Sequence, residues 1–226
     1  MGPVTRPPVA LPVVLRRLDL RGTGSDDLRR RLPRPAAQTE PPSDEVRALL
    51  AEVREHGDAA LRTFAERFDG VSLDDLRVPP AEVAAALDRL PADLREALEA
   101  AHENIAAYHG AQRGHEVVHH NGAIEIRELV RPVDRVGCYV PNALAPLVST
   151  ALMTLVPAKV AGVPEVVLVS PARPDGHVPA GILAAAALAG ADEVYRIGGP
   201  AAIGALAYGT ESIRPVDVTD QVWVSW

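Results

Sequence analysis

Between Arg135 and Lys159 the chain carries no charged residue, and the intervening VGCYVPNALAPLVSTALMTLVPA is mostly apolar. A run of that length must cross a membrane, sit in a core or wall a binding crevice. A membrane helix needs about 20 predominantly apolar residues. Here Pro141, Pro146 and Pro157 interrupt the run, and an interior helix proline costs roughly 3 kcal/mol. One continuous spanning helix is therefore disfavoured, and a buried strand, a tight loop and a helix fit better.

The sequence after the run repeats the same alternation. RVGCYVP reads as a buried strand, and STALMTLVPAKVAG as a helix kinked or stopped near Pro157. EVVLVSP is a second strand, PAGILAAAALAG a helix ended by Gly190, DEVYRIGG a third strand and PAAIGALAYG another helix. Continuously apolar strands are buried on both faces, which is the signature of a parallel sheet with helical crossovers. The expectation is an α/β fold, with residues 131–226 forming a Rossmann-like domain.

Upstream the texture differs. Residues 1–42 are rich in Pro and Arg and read as an extended arm, with one short strand in VVLRRLDLRG. Residues 43–130 read as a helical region that closes with a β-hairpin. Ser43 is a plausible cap for the first helix, with Val46, Leu49, Leu50 and Val53 at helical spacing. Gly57 punctuates, and a second helix resumes on Leu61, Phe64 and Phe68 until Gly70. A third helix follows Pro80. A fourth runs from Pro91 to about Arg113, burying Leu94, Leu98, Ala101, Ile105 and Tyr108. EVVHHNGAIEIRELV then alternates apolar and polar residues around Asn121-Gly122, a strong hairpin signal.

The net charge of −7 argues against nucleic acid as the main partner. Cys138 is the one cysteine, so no disulfide framework or CxxC metal knot exists. With no signal-peptide pattern at the N-terminus, the expected setting is reducing, soluble and cytoplasmic. His119 and His120, adjacent on a strand, point to opposite faces and do not share one ion. His102 and His109 could share a helix face, but HExxH is absent.

A parallel open sheet binds ligands beyond the carboxyl ends of its strands. That places the loops 141–146, 170–176 and 198–200 at the candidate site, where a helix N-terminus could face a phosphate. Tyr139, near the end of the first strand, could stack on a flat ligand or pack in the core. GGPAAIG, residues 198–204, is a weak glycine signal for a dinucleotide.

Three ordered segments carry a family resemblance. LRRLDLRG, GDAALRTFAERFDGV and RVP open the chain, VGCYVPNALAPLVSTALMTLVPAKVAGV follows, and GADEVYRIGGPAAIGALAYGTES comes third. From about Leu15 to Asp217 the chain resembles the N-terminal half of histidinol dehydrogenase. The resemblance implies an aldehyde-dehydrogenase-like fold and an NAD-dependent, zinc-containing homodimer that oxidises L-histidinol to L-histidine. It implies cofactor contacts at Tyr139, Gly198, Gly199 and Ala201. Ala201 stands where many members carry glutamine, and Asn142-Ala143 stand where the family has Gly-Gly. The family's GPGN turn has no counterpart after Asp217, and its base pair, substrate serine and zinc ligands lie further downstream. The resemblance therefore implies a truncated chain with no catalytic or metal residue of its own, inactive alone. The alternative is a non-catalytic nucleotide-binding or interaction module.

Overall fold

A computed structural model describes residues 19–24, 27, 28, 31, 43–114, 116–141 and 146–221. The chain divides into two compact units, Met1–Pro41 and Pro42–Trp226. In the first, Arg21 pairs with Asp19 and Arg31 donates to Thr23 Oγ1. The strand expected in VVLRRLDLRG lies mostly outside the described residues, as do Asn142 and Ala143.

The second unit contains α1 (Ser43–Phe64), a π-helical turn (Ala65–Asp69), α2 (Pro80–Ala86) and α3 (Ala92–Ala111). It continues with β1 (Val117–Asn121), β2 (Ile124–Glu128), β3 (Arg135–Tyr139) and α4 (Val148–Ala161). The chain then forms β4 (Glu165–Val169), α5 (Ala180–Ala189), β5 (Glu193–Tyr195), α6 (Gly199–Tyr208) and β6 (Val218–Gln221). The change of texture near residue 130 falls inside this unit. Among the described residues no helix is long and apolar enough to cross a membrane.

The main sheet has four strands in the order β5-β4-β3-β6, all parallel. The chain winds outward from β3 to β4 and β5, then returns through α6 to place β6 on the other side of β3. Strand alternation divides two cores. Val136, Cys138, Val166, Leu168 and Val194 face a core shared with α2 to α5. Tyr139, Val167, Val169 and Tyr195 face a core shared with α1 and α6. Gly137 belongs to the second face, where an added Cβ would sit 2.7 Å from Leu206 Cδ1 of α6. The missing side chain is what lets α6 lie close on the sheet.

Carboxylates tie the strand starts together. Asp217 Oδ2 accepts the backbone N–H groups of Asp134 and Arg135 at 3.0 and 2.9 Å, fixing β6 beside β3. Asp192 Oδ2 accepts Val166 N–H at 2.7 Å and binds Lys159 Nζ at 2.7 Å. The Arg77 segment runs antiparallel along β5: Val78 N–H donates to Val194 O, and Arg196 N–H to Leu76 O. This covers the outer edge of β5, which would otherwise leave backbone groups unpaired.

Three local expectations are corrected. Of the two outcomes expected at Pro157, a kink or a stop, the stop does not occur, and α4 continues to Ala161. The bond it removes would have gone to the carbonyl of Met153, a residue on the exposed side of the helix. On α3 only Leu98 is buried. Leu94 and Tyr108 are exposed, because Ala101 and Ile105 suffice to seat the helix against the core. Finally, the sheet has a fourth parallel strand beyond the three expected, formed by the segment after Asp217.

Candidate active site: a cleft at the carboxyl rim

The chain adds β4 and β5 on one side of β3 and β6 on the other, so the carboxyl ends of β3 and β6 flank a crevice of the kind where open parallel sheets take ligands. Tyr139 is the last residue of β3 and pairs in register with Gln221. Its ring is nine-tenths buried in the core under α6. Its hydroxyl oxygen accepts the Gly199 N–H at 3.2 Å, so it anchors the first turn of α6. Burial pushes the Tyr139 phenol above its ordinary 10.0, against the opposing effect of the Gly199 bond, so it stays neutral at physiological pH.

The two glycines at this turn serve different purposes. Gly198 is extended, and a Cβ there would meet Pro171 Cβ at 2.7 Å, so it permits close approach of the loop after β4. Gly199 has φ +61 with open space around it, a left-handed conformation that only glycine adopts without strain.

Gly198, Gly199 and Ala201 form one wall of a cleft of about 180 Å³. The opposite wall comes from α1 and the π-helical turn, with Leu61, Phe64, Phe68 and Asp69. Tyr139 does not line this cleft; it supports the wall from behind. Helical spacing places Leu61, Phe64 and Phe68 on one stripe. Leu61 and Phe64 are indeed buried, but Phe68 is 58% exposed, with the Arg67 guanidinium 4.9 Å from its ring centre. The signal available in the sequence was FAERFDG itself, a motif ending in a helix stop.

Among the described residues, Asp69 is the one titratable side chain lining the cleft. Burial raises its carboxyl above the ordinary 3.8. A raised folded-state value means the stabilising contribution is complete below 3.8 and is lost as pH rises through the folded value. Asp69→Asn is therefore expected to raise the melting temperature by a few degrees at pH 7. The advantage should vanish below about pH 3.8 in thermal melts across a pH series.

A model of the histidinol dehydrogenase family matches residues 32–219. The chain belongs to the histidinol dehydrogenase family. It is 46% identical over 171 residues to the Geobacillus kaustophilus histidinol dehydrogenase, covering 75% of this chain and 40% of that protein. It is 47% identical over 195 residues to the Xanthomonas axonopodis pv. citri enzyme, covering 85% and 44%. The crystal structure of histidinol dehydrogenase from Elizabethkingia anophelis superposes with a TM-score of 0.81 at 30% identity, covering 87% of this chain and 46% of that one. The chain thus spans less than half the length of these family members.

Among the described residues, no group of three or more His, Cys, Asp or Glu converges as a metal site would require. These residues do not fit a zinc centre. The described His119 and His120 alternate faces, opposite Ile126 and Glu125 respectively.

Proposed function

We propose that this chain forms the cofactor-side part of an NAD-dependent histidinol dehydrogenase, on an aldehyde-dehydrogenase-like, Rossmann-like sheet. In this reading it serves histidine biosynthesis in the cytoplasm, as part of a homodimer. The observation that carries the proposal is the Tyr139–Gly199 hydrogen bond, which ties the carboxyl end of β3 to the small residues that open α6 beside an apolar cleft. A dinucleotide needs a flat apolar slot for a ring and close approach to backbone, and the cleft offers both. Phe68 supplies an exposed ring for stacking, and Gly198, Gly199 and Ala201 leave room above the backbone. Asp69 offers a carboxylate to sugar hydroxyls. Tyr139 is a positioning residue, acting through Gly199.

When bound, NAD supplies the hydride acceptor. The alcohol proton must leave to a base held beside it, matched to the working pH. Asp69 lines the cleft without a charged or hydrogen-bonding partner to orient it as a base. The 226-residue polypeptide alone is therefore expected to show no NAD reduction with L-histidinol and zinc.

Calorimetric titration with NAD tests the reading. The chain should bind NAD, Tyr139→Ala should weaken binding by about tenfold or more, and Ala201→Trp, which fills the cleft, should abolish it. NAD affinity unchanged in both variants would remove the proposal.

A further inference from the structure

On the face of the sheet away from the cofactor cleft, α2, α5 and the loop after β4 flank a second cleft of about 430 Å³. That volume lies in the range that holds small ligands. Its floor is apolar, since Ala86, Val178 and Leu183 belong to the core shared by α2 and α5. Its polar lining is Glu82, Arg89, Arg173, Asp175 and His177.

The loop that carries three of these residues is fixed by its own bonds. Arg173 N–H donates to His177 O at 2.9 Å, and Gly176 N–H donates to Arg173 O at 2.8 Å. Asp175 Oδ1 accepts the His177 N–H at 3.0 Å, and Gly176 O accepts the Arg196 guanidinium at 3.4 Å. The His177 ring Nδ1 lies 3.3 Å from Glu82 Oε1, which ties the loop to α2. A wall fixed in this way loses little freedom when a ligand binds.

Pairing within the cleft leaves cations over. Glu82 is engaged by the His177 ring, and Asp175 by the His177 backbone. Asp88, next to Arg89, is taken by Arg95 at 2.9 Å. Arg89 and Arg173 reach the cleft from separate segments, and among the described residues neither guanidinium has a hydrogen-bond or ion-pair partner. Nearby arginines are spent differently: Arg77 faces Glu193 and Arg196 donates to backbone carbonyls.

We propose that this cleft binds a small phosphomonoester, with Arg89 and Arg173 holding the phosphate and the apolar floor taking its carbon skeleton. Guanidinium forks match phosphate oxygens in pairs. A phosphomonoester carries close to two negative charges and three acceptor oxygens at neutral pH, enough to engage both arginines. A single carboxylate is filled by one fork and leaves the other unpaired.

Calorimetric titration of the 226-residue chain with phenyl phosphate tests this, at about 0.15 M salt to screen diffuse surface attraction. The expected dissociation constant is about 1 mM or tighter, and inorganic phosphate, which lacks the ring, should bind severalfold more weakly. Arg89→Ala and Arg173→Ala should each weaken phenyl phosphate binding by roughly tenfold or more. Arg89 is exposed and Arg173 half-buried, so both variants should fold, which circular dichroism melts check. Arg113→Ala removes an exposed arginine outside the cleft and should change nothing. Saturating NAD and Ala201→Trp should both leave phenyl phosphate affinity unchanged, so this outcome is separate from the cofactor reading. No binding at about 10 mM phenyl phosphate overturns the proposal. So does affinity unchanged in either cleft variant, equal loss in Arg113→Ala, inorganic phosphate binding as tightly as the ester, or displacement by NAD.

Discussion

Arg135→Met is expected to lower the folding free energy by about 3–5 kcal/mol, the range for removing one partner of a buried ion pair. Arg135 opens β3, and its side chain is only 7% exposed. One guanidinium nitrogen lies 2.5 Å from Glu165 Oε2, and another donates to Glu193. Glu193 also receives the Tyr195 hydroxyl and faces Arg77 at 3.4 Å, while Glu165 is shared with Arg214. Desolvation pulls the Arg135 guanidinium down, but the two carboxylates outweigh it and hold the group above its ordinary value. Without Arg135, Glu193 is left in a mostly covered site with weaker partners. Denaturant midpoints should show the loss, and Arg135→Met/Glu193→Gln should recover a substantial part of it, because no uncompensated charge then remains.

The same variant has a pH signature. Arg135, and after it Arg214, holds the Glu165 carboxyl below its ordinary 4.5. A depressed folded-state value gives stability that is present above 4.5 and is lost as pH falls through the folded value. Arg135→Met should flatten that acid-side slope.

Gly57→Ala should cost about 2–4 kcal/mol. Gly57 interrupts α1 with φ 50 and ψ −127, a conformation open to glycine but strained for alanine. An added Cβ would also meet the Glu211 carboxylate, with Oε2 only 2.3 Å away. That carboxylate accepts the Asp58 N–H at 2.7 Å, where the helix resumes. Asp58 in turn accepts the Thr210 and Ser212 hydroxyls at 2.6 and 3.0 Å. Two sequence segments, GDAA and GTES, are thereby joined across the fold. Thermal melts should show Gly57→Ala well below wild type. Gly57→Ala/Glu211→Ala should recover only the steric part, leaving the backbone strain.

The parallel sheet was legible because β3 and β4 are apolar on both faces, a pattern that permits little else. The break at Gly57 and the helix stops at Gly70 and Gly190 were legible for the same local reason, positive φ. What escaped was non-local. β6 is polar at Thr219 and Asp220 and acquires its place from Asp217 bonding the start of β3, which no local pattern reveals. Phe68 reads as core by helical spacing, but the chain turns into a π-helical segment just before it and leaves the ring at the cleft. Tyr139 invited two readings, core or ligand platform. Its ring follows the first and its hydroxyl reaches the turn that the second would use.

The most direct measurement is a crystal structure of the chain grown with NAD. Density for the dinucleotide is expected in the cleft between Phe68 and residues 198–201, with Tyr139 still bonded behind Gly199. Density for NAD at another surface, with this cleft empty at saturating cofactor, would contradict it.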